Sequence, residues 1–171
     1  TFGARLAPSL SLGLLPTLGL GAELRGHLRP PGWPTFEIGA ALWAPREVSN
    51  GLYGATFSLA HAFLAACPLH VARWGFDLAP CVGVQIGALR AGGFGFDLSR
   101  QQEQLVFDAT LGADLRRRLV GPLFAAAYVE MIVPLVRDRF FYLTAGGVKN
   151  EVFRMSPVAG SANLALGVEL P

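Results

Sequence analysis

Charge is scarce in this chain: Asp, Glu, Lys and Arg make up 15% of its 171 residues, against about 25% in a typical soluble domain. The net charge is +2, too small a basic field to suggest nucleic acid as a partner. Only two cysteines and three histidines occur, and they show none of the spacings of a zinc site. There is no dinucleotide fingerprint and no P-loop, and Gly92-Gly93-Phe94-Gly95 reads as a loop tip rather than a phosphate cradle. A Gly-X-Y period is missing too, which excludes a collagen-like fibre, and 52% hydrophobic residues exclude a disordered chain. Long uninterrupted helices are also absent in prospect, because 21 glycines and 12 prolines punctuate the sequence. What remains is a short, Gly-rich chain of mean hydropathy +0.43 that suits contact with lipid.

Two stretches carry no ionisable acid, lysine or arginine, 6–22 and 48–72. In the first, Pro8, Gly13, Pro16, Gly19 and Gly21 would each weaken a helix, at about 1 kcal/mol per Gly and about 3 per interior Pro. The second is long enough to span a bilayer as a helix, so an α-helical membrane protein stays open as an alternative.

The period of the pattern favours strands. From Thr17 to Leu28 the even positions are Leu18, Leu20, Ala22, Leu24, Gly26 and Leu28, and the odd ones include Glu23, Arg25 and His27. The same split separates Phe36, Ile38 and Leu42 from Glu37, and Leu105, Phe107, Leu111 and Leu115 from Asp108 and Asp114. Residues 4–13, 76–90, 122–133 and 157–170 alternate likewise. Residues 53–67 are apolar on both faces, and the smaller face, Gly54, Thr56, Ser58, Ala60 and Ala62, is expected inside. Eight strands result, near 4–13, 17–28, 35–44, 53–67, 76–90, 103–117, 122–133 and 157–170.

In a soluble sandwich the polar faces meet water and are rich in Lys, Glu, Thr and Ser. Here they are rich in Gly and small residues, which suits a narrow interior. The expected fold is therefore all-β, an eight-stranded antiparallel up-and-down transmembrane barrel forming one domain over 1–171, with a lumen just wide enough to be filled by side chains. Short connections near Pro31 and Gly121 alternate with longer ones at 45–52, 91–102 and 134–156, and only Leu15-Pro16 is tight where a long loop is expected. Trp33 and Trp74 fall at the short-turn end, and Tyr53, Phe94, Phe96, Phe140, Phe141 and Tyr142 fall at the other, as interfacial aromatic belts would.

This pattern, across nearly the whole chain, resembles the small eight-stranded outer-membrane β-barrels of Gram-negative bacteria, of the OmpA transmembrane-domain and OmpX type. The resemblance implies an outer-membrane location, short turns in the periplasm, and lipid and lipopolysaccharide as neighbours. Such barrels usually end on an aromatic residue, whereas this chain ends Gly167-Val168-Glu169-Leu170-Pro171, so either the signal is degenerate or the chain is a fragment. No signal peptide opens the sequence, which implies a mature or trimmed form.

Inward positions gather the ionisable residues Arg5, Glu23, Arg25, His27, Glu37, Asp108, Asp114, Arg116 and Glu130, with Asp77 and Glu169. Unpaired charge is costly there, so a hydrogen-bonded plug is expected, with a small pore as the alternative. Glu37 falls across the second hairpin from His27, with Arg25 diagonal to it. Cys67 and Cys81 are equidistant from Trp74 and would face each other across a hairpin at an oxidising periplasmic end, so a disulfide is expected, with two free buried thiols as the alternative. No catalytic residue, cofactor or metal is assigned. Ser58 and His61 lie three apart on one strand and point to opposite faces, so a lipid-modifying enzyme would need partners from different strands. Loop cations Arg137, Arg139 and Lys149, with Arg46, Arg100 and Arg154, are candidates for lipopolysaccharide phosphates, although Glu47, Asp97, Asp138 and Glu151 dilute them.

Overall fold

A computed structural model describes the backbone of residues 1–50, 53–94, 101–136, 139–143 and 149–171, and the side chains of 1–48, 54–93, 103–136 and 155–171. Its elements are β1 (Phe2–Leu12), β2 (Gly19–Leu28), β3 (Thr35–Asn50), β4 (Tyr53–Cys67), β5 (Val71–Arg73), β6 (Phe76–Phe94), β7 (Gln101–Arg118), β8 (Leu123–Pro134), β9 (Arg139–Leu143), β10 (Lys149–Arg154) and β11 (Ala159–Leu170). All pairings are antiparallel. The sheet order is β4-β3-β2-β1-β11-β8-β7-β6-β5, and β4 also pairs with β6, which closes the sheet. With the three-residue β5 set aside, eight strands form the wall. The first and last join in register from Phe2↔Leu170 to Leu12↔Gly160.

Strand formation follows the two-residue period. In β1 the burial alternates from Ala4 to Leu12, with Leu6 63% exposed and Arg5 2%. Unlike a soluble sheet, it is the leucines that face out and the ions that face in. On β7 the outward residues Leu105, Phe107, Ala109, Leu111, Ala113 and Leu115 are bracketed by Glu103 and Arg117. Ten steps of roughly 3.4 Å, tilted by about 40°, make an apolar band about 25 Å tall, the height of a membrane's hydrocarbon layer. Trp33 and Trp74 stand exposed at the short-turn end, where their rings suit the interface. The other belt aromatics, Tyr53, Phe94, Phe96 and Phe140 to Tyr142, lie outside the residues whose side chains are described.

Turn chemistry fixes the short-turn end. Trp74 and Gly75 both have positive φ, 53° and 78°, between the paired Arg73 and Phe76. This two-residue turn is of the type whose twist matches the strands it joins, and glycine supplies one of its two left-handed positions without strain. Trp74 occupies the other, with the Arg73 guanidinium 4.1 Å from its ring centroid.

Three details differ from the sequence expectation. First, β4 has the opposite facing: Phe57, Leu59, His61, Phe63, Ala65 and Cys67 are buried inside, and Ala60 and Ala62 face out. With both faces apolar, hydropathy does not choose; the neighbours do. A Cβ on Gly39 would collide with the Phe63 ring, and one on Gly87 with His61, so glycines beside β4 make the room its large side chains need. Second, the connection placed at 45–52 is largely strand, because β3 runs on to Asn50, which pairs with Tyr53. A register shift between Trp43 and Arg46 reverses the facing there. Pro45, which has no N–H for the ladder, lies in it. Third, β9 and β10 form a separate two-stranded hairpin inside 134–156. Among the described residues there is no helix, and those of 48–67 are strand where a helix was the alternative.

If this apolar band lies in lipid, Leu111→Arg should destabilise the barrel by about 2–4 kcal/mol and Leu115→Arg, near the band's edge, by less than about 1. Urea unfolding of the refolded variants in lipid vesicles measures both.

Candidate functional site: the barrel lumen

The lumen contains an ionic cluster built across the barrel. Glu37 on β3 is buried and accepts hydrogen bonds from Arg25 Nη1 at 2.7 Å and from Arg116 Nη2 on its other oxygen. Arg5 Nη2 lies 3.6 Å away. Asp114 on β7 accepts from Arg5 Nη1 and from Arg116 Nε, each at 2.6 Å. Glu23 accepts from Arg25 Nε at 2.7 Å. Three guanidinium groups thus meet three carboxylates, drawn from β1, β2, β3 and β7. Aromatic rings complete the packing: the Arg25 guanidinium lies 4.1 Å from the centroids of both Phe63 and Tyr128. Gly112 leaves the Tyr128 hydroxyl its space. Buried pairs of this kind roughly balance their own desolvation, whereas an unmatched member is expensive.

Toward the loop end the lumen turns apolar. Leu14, Leu15, Trp43, Phe57, Leu59, Leu89, Val106, Ile132, Met155 and Ala159 form one buried cluster. Leu14 and Leu15 come from the tight β1–β2 connection and fold inward, and Met155 joins them from the segment before β11, whose Ser156 N–H reaches the Gly13 carbonyl. Nothing in hydropathy separates these three from loop or lipid-facing residues. Trp43 Nε1 donates to His61 Nδ1 at 3.3 Å at the edge of this cluster. Between the two clusters, Glu130 accepts from Gln85 Nε2 at 3.1 Å and from Ser161 Oγ at 2.8 Å, and Asp108 is buried nearby.

The closed eight-stranded wall has counterparts among solved structures. A major outer membrane protein from Thermus thermophilus superposes with a TM-score of 0.64 at 12% identity, over 96% of this chain and 98% of that one. Neisserial surface protein A gives 0.61 at 10%, over 99% and 96%. Ail, the attachment invasion locus protein of Yersinia pestis, gives 0.57 at 13%, over 98% and 95%. The fold is that of the small outer-membrane barrels. No family model and no curated protein matches the sequence, so the likeness is one of architecture.

In this architecture the short turns form one rim, which here is tied together by polar contacts. Arg29 Nη1 pairs with Asp77 at 3.0 Å, and Arg118 Nη2 with Glu169 at 3.3 Å. His27 faces Glu37 in the strand register, as expected, yet its ionic neighbour is Glu169, 3.5 Å from Nε2, because arginines occupy both Glu37 oxygens. His70 Nε2 lies 2.9 Å from Thr35 Oγ1, and its Nδ1 3.3 Å from Asp77. This hydroxyl, imidazole and carboxylate line up as in a nucleophilic triad, from residues whose spacing gave no hint of it. Thr35 is 1% exposed, so its oxygen is closed to a substrate here, and the chain of contacts fastens the β2–β3 turn to the β4–β6 connection. An open cleft of about 500 Å³ lies beside it, rimmed by Arg29, His70, Arg118 and Glu169.

Cys67 and Cys81 form the expected disulfide. Their sulfurs lie within 4.8 Å of a Glu37 oxygen, the one such trio of potential metal ligands among the described residues. With the sulfurs bonded to each other and the carboxylate held by arginines, the trio does not fit a metal ion. Of the loop cations, Arg137 and Arg100 lie outside the described residues, as do the side chains of Arg139, Lys149 and Arg154.

Glu37→Gln should cost about 3–5 kcal/mol, because it leaves buried guanidinium charge unmatched, and a urea midpoint in detergent or vesicles reads it. Cys67→Ser/Cys81→Ser should cost about 3 kcal/mol, the value for a loop of this size. In the unfolded, unreduced wild type, alkylation followed by mass measurement should find neither thiol.

Proposed function

We propose that the protein is a non-catalytic integral β-barrel of a Gram-negative outer membrane, one domain over 1–171, with a structural or anchoring role or a surface-binding one. The observation that carries this is the lumen: an ionic cluster spans it near the short-turn rim and an apolar cluster fills it toward the loops. Arg5, Glu23, Arg25, His27, Glu37, Asp114 and Arg116 act in the first of these as a plug, and Asp108 and Glu130 extend the polar lining above it. The side-chain filling favours a wall over a path. At the loop end, Arg137, Arg139 and Lys149 are the proposed contacts to lipopolysaccharide phosphates. A binding surface on a barrel of this size has a parallel in Ail, whose structure was solved with the heparin analogue sucrose octasulfate.

Among the described residues, the Thr35–His70–Asp77 arrangement is the one feature that favours the second reading, a lipid-modifying enzyme at the periplasmic leaflet. The buried threonine hydroxyl argues against it.

Planar-bilayer recording of the purified barrel should show no reproducible unitary conductance; stable single-channel steps would overturn the plug. Mass spectrometry of membrane lipids, including lipid A, should give the same spectrum with wild type, with Thr35→Ala and without the protein. A modified lipid that disappears with Thr35→Ala would establish the enzyme instead.

A further inference from the structure

Among the described residues, the ion pairs of the lumen leave two acids over. In the ionic cluster, Arg5, Arg25 and Arg116 are matched one for one by Glu23, Glu37 and Asp114. Asp108 and Glu130 stand outside that balance. Both are buried, at 3% and 9% exposure, and among the described residues neither has an ion-pair partner. Arg25 spends its ion pairs on Glu23 and Glu37, and Gln85 links the two acids, bonded to Glu130 and facing Asp108 in the β6–β7 register. Two carboxylates buried in a space walled by lipid must either take up a proton or gain a counter-charge.

Inward side chains on the neighbouring strands are oxygen donors with unused capacity. Gln85 faces Asp108 across β6 and β7 and spends its amide N–H on Glu130, which leaves Gln85 Oε1 without a protein partner. Ser161 faces Glu130 across β11 and β8. Ser9 faces Asn163 across β1 and β11, and their side-chain polar atoms, together with Asp108 Oδ1, are buried and unpartnered. Ser9 and Asn163 are 3% and 5% exposed and point inward. Carboxylates, amide carbonyls and hydroxyls are the ligand set of hard cations, not of soft ones.

We propose that the middle of the lumen binds one hard divalent cation between Asp108 and Glu130, with Gln85, Asn163 and Ser9 supplying neutral oxygens. Two negative charges set the valence, and the all-oxygen lining sets the class, Ca²⁺ or Mg²⁺. The ion joins β6, β7 and β8 to β11 and β1, across the seam where the chain's ends meet, outside the ion pairs of the arginine cluster.

The probe is Tb³⁺, titrated into the intact barrel in detergent after chelation by EDTA. Tyr128, buried on β8 two residues from Glu130 and on the same face, serves as the sensitiser. Sensitised emission should saturate at one ion per chain and be displaced by Ca²⁺ or Mg²⁺, with the more effective competitor identifying the physiological ion. Saturating that ion should raise the temperature of heat-induced gel-mobility loss by about 5 °C. Both effects should vanish in Asp108→Asn/Glu130→Gln, which keeps shape and removes charge. Should that variant not refold, Ser9→Ala/Asn163→Ala leaves both acids in place and should weaken Tb³⁺ binding at least about tenfold. Wild type without sensitised binding, or a variant that binds as wild type does, would overturn the site.

Discussion

In a hydrocarbon layer no water is available to satisfy a backbone N–H or C=O, so a sheet placed there must close on itself. The pairing of β1 with β11 is what meets that demand. It removes the last open edges and fixes the number of strands, and with it the bore of the lumen. The other features are consequences. A bore of this size is filled by side chains, which must then satisfy one another, and an outer wall in lipid has no use for charge.

The interior therefore works in a way soluble cores do not. Near the short-turn rim it is made of arginine and carboxylate, with Tyr128, Phe63 and Phe124 as packing around the ions. Glycines at inward positions supply the space: Gly112 beside Tyr128, Gly39 beside Phe63 and Gly167 beside Phe124. Large groups on one strand and bare backbone on its neighbour fit a ring of eight strands more closely than uniform medium-sized residues would. The lumen is layered as well, ionic at the short-turn rim, oxygen-lined in the middle and apolar toward the loops.

Much of this was legible from residue parity. β4 occupies 53–67 as expected, and of the nine ionisable residues assigned to inward positions eight are buried and Arg116 is half-buried, because one face per strand carried almost all the charge. Three things escaped for physical reasons. The facing of β4 has no hydropathy signal, since its large and small sides are both apolar. Leu14 and Leu15 sit in a turn, where period two stops, and only their packing against Trp43 and Met155 shows where they go. The contacts of Thr35, His70 and Asp77 depend on how a turn and two strand ends meet in space, which alternation does not encode.

The disulfide gains a second meaning in this light. Cys67 and Cys81 belong to strands consecutive in the chain's path around the wall, so their bond can form as soon as that hairpin does, before any seam is closed. Both sulfurs lie on the lumen side. Once they are joined, a slip of β4 by one residue, which would exchange its two apolar faces, is blocked. In the one strand whose composition leaves inside and outside undecided, a covalent bond records the choice.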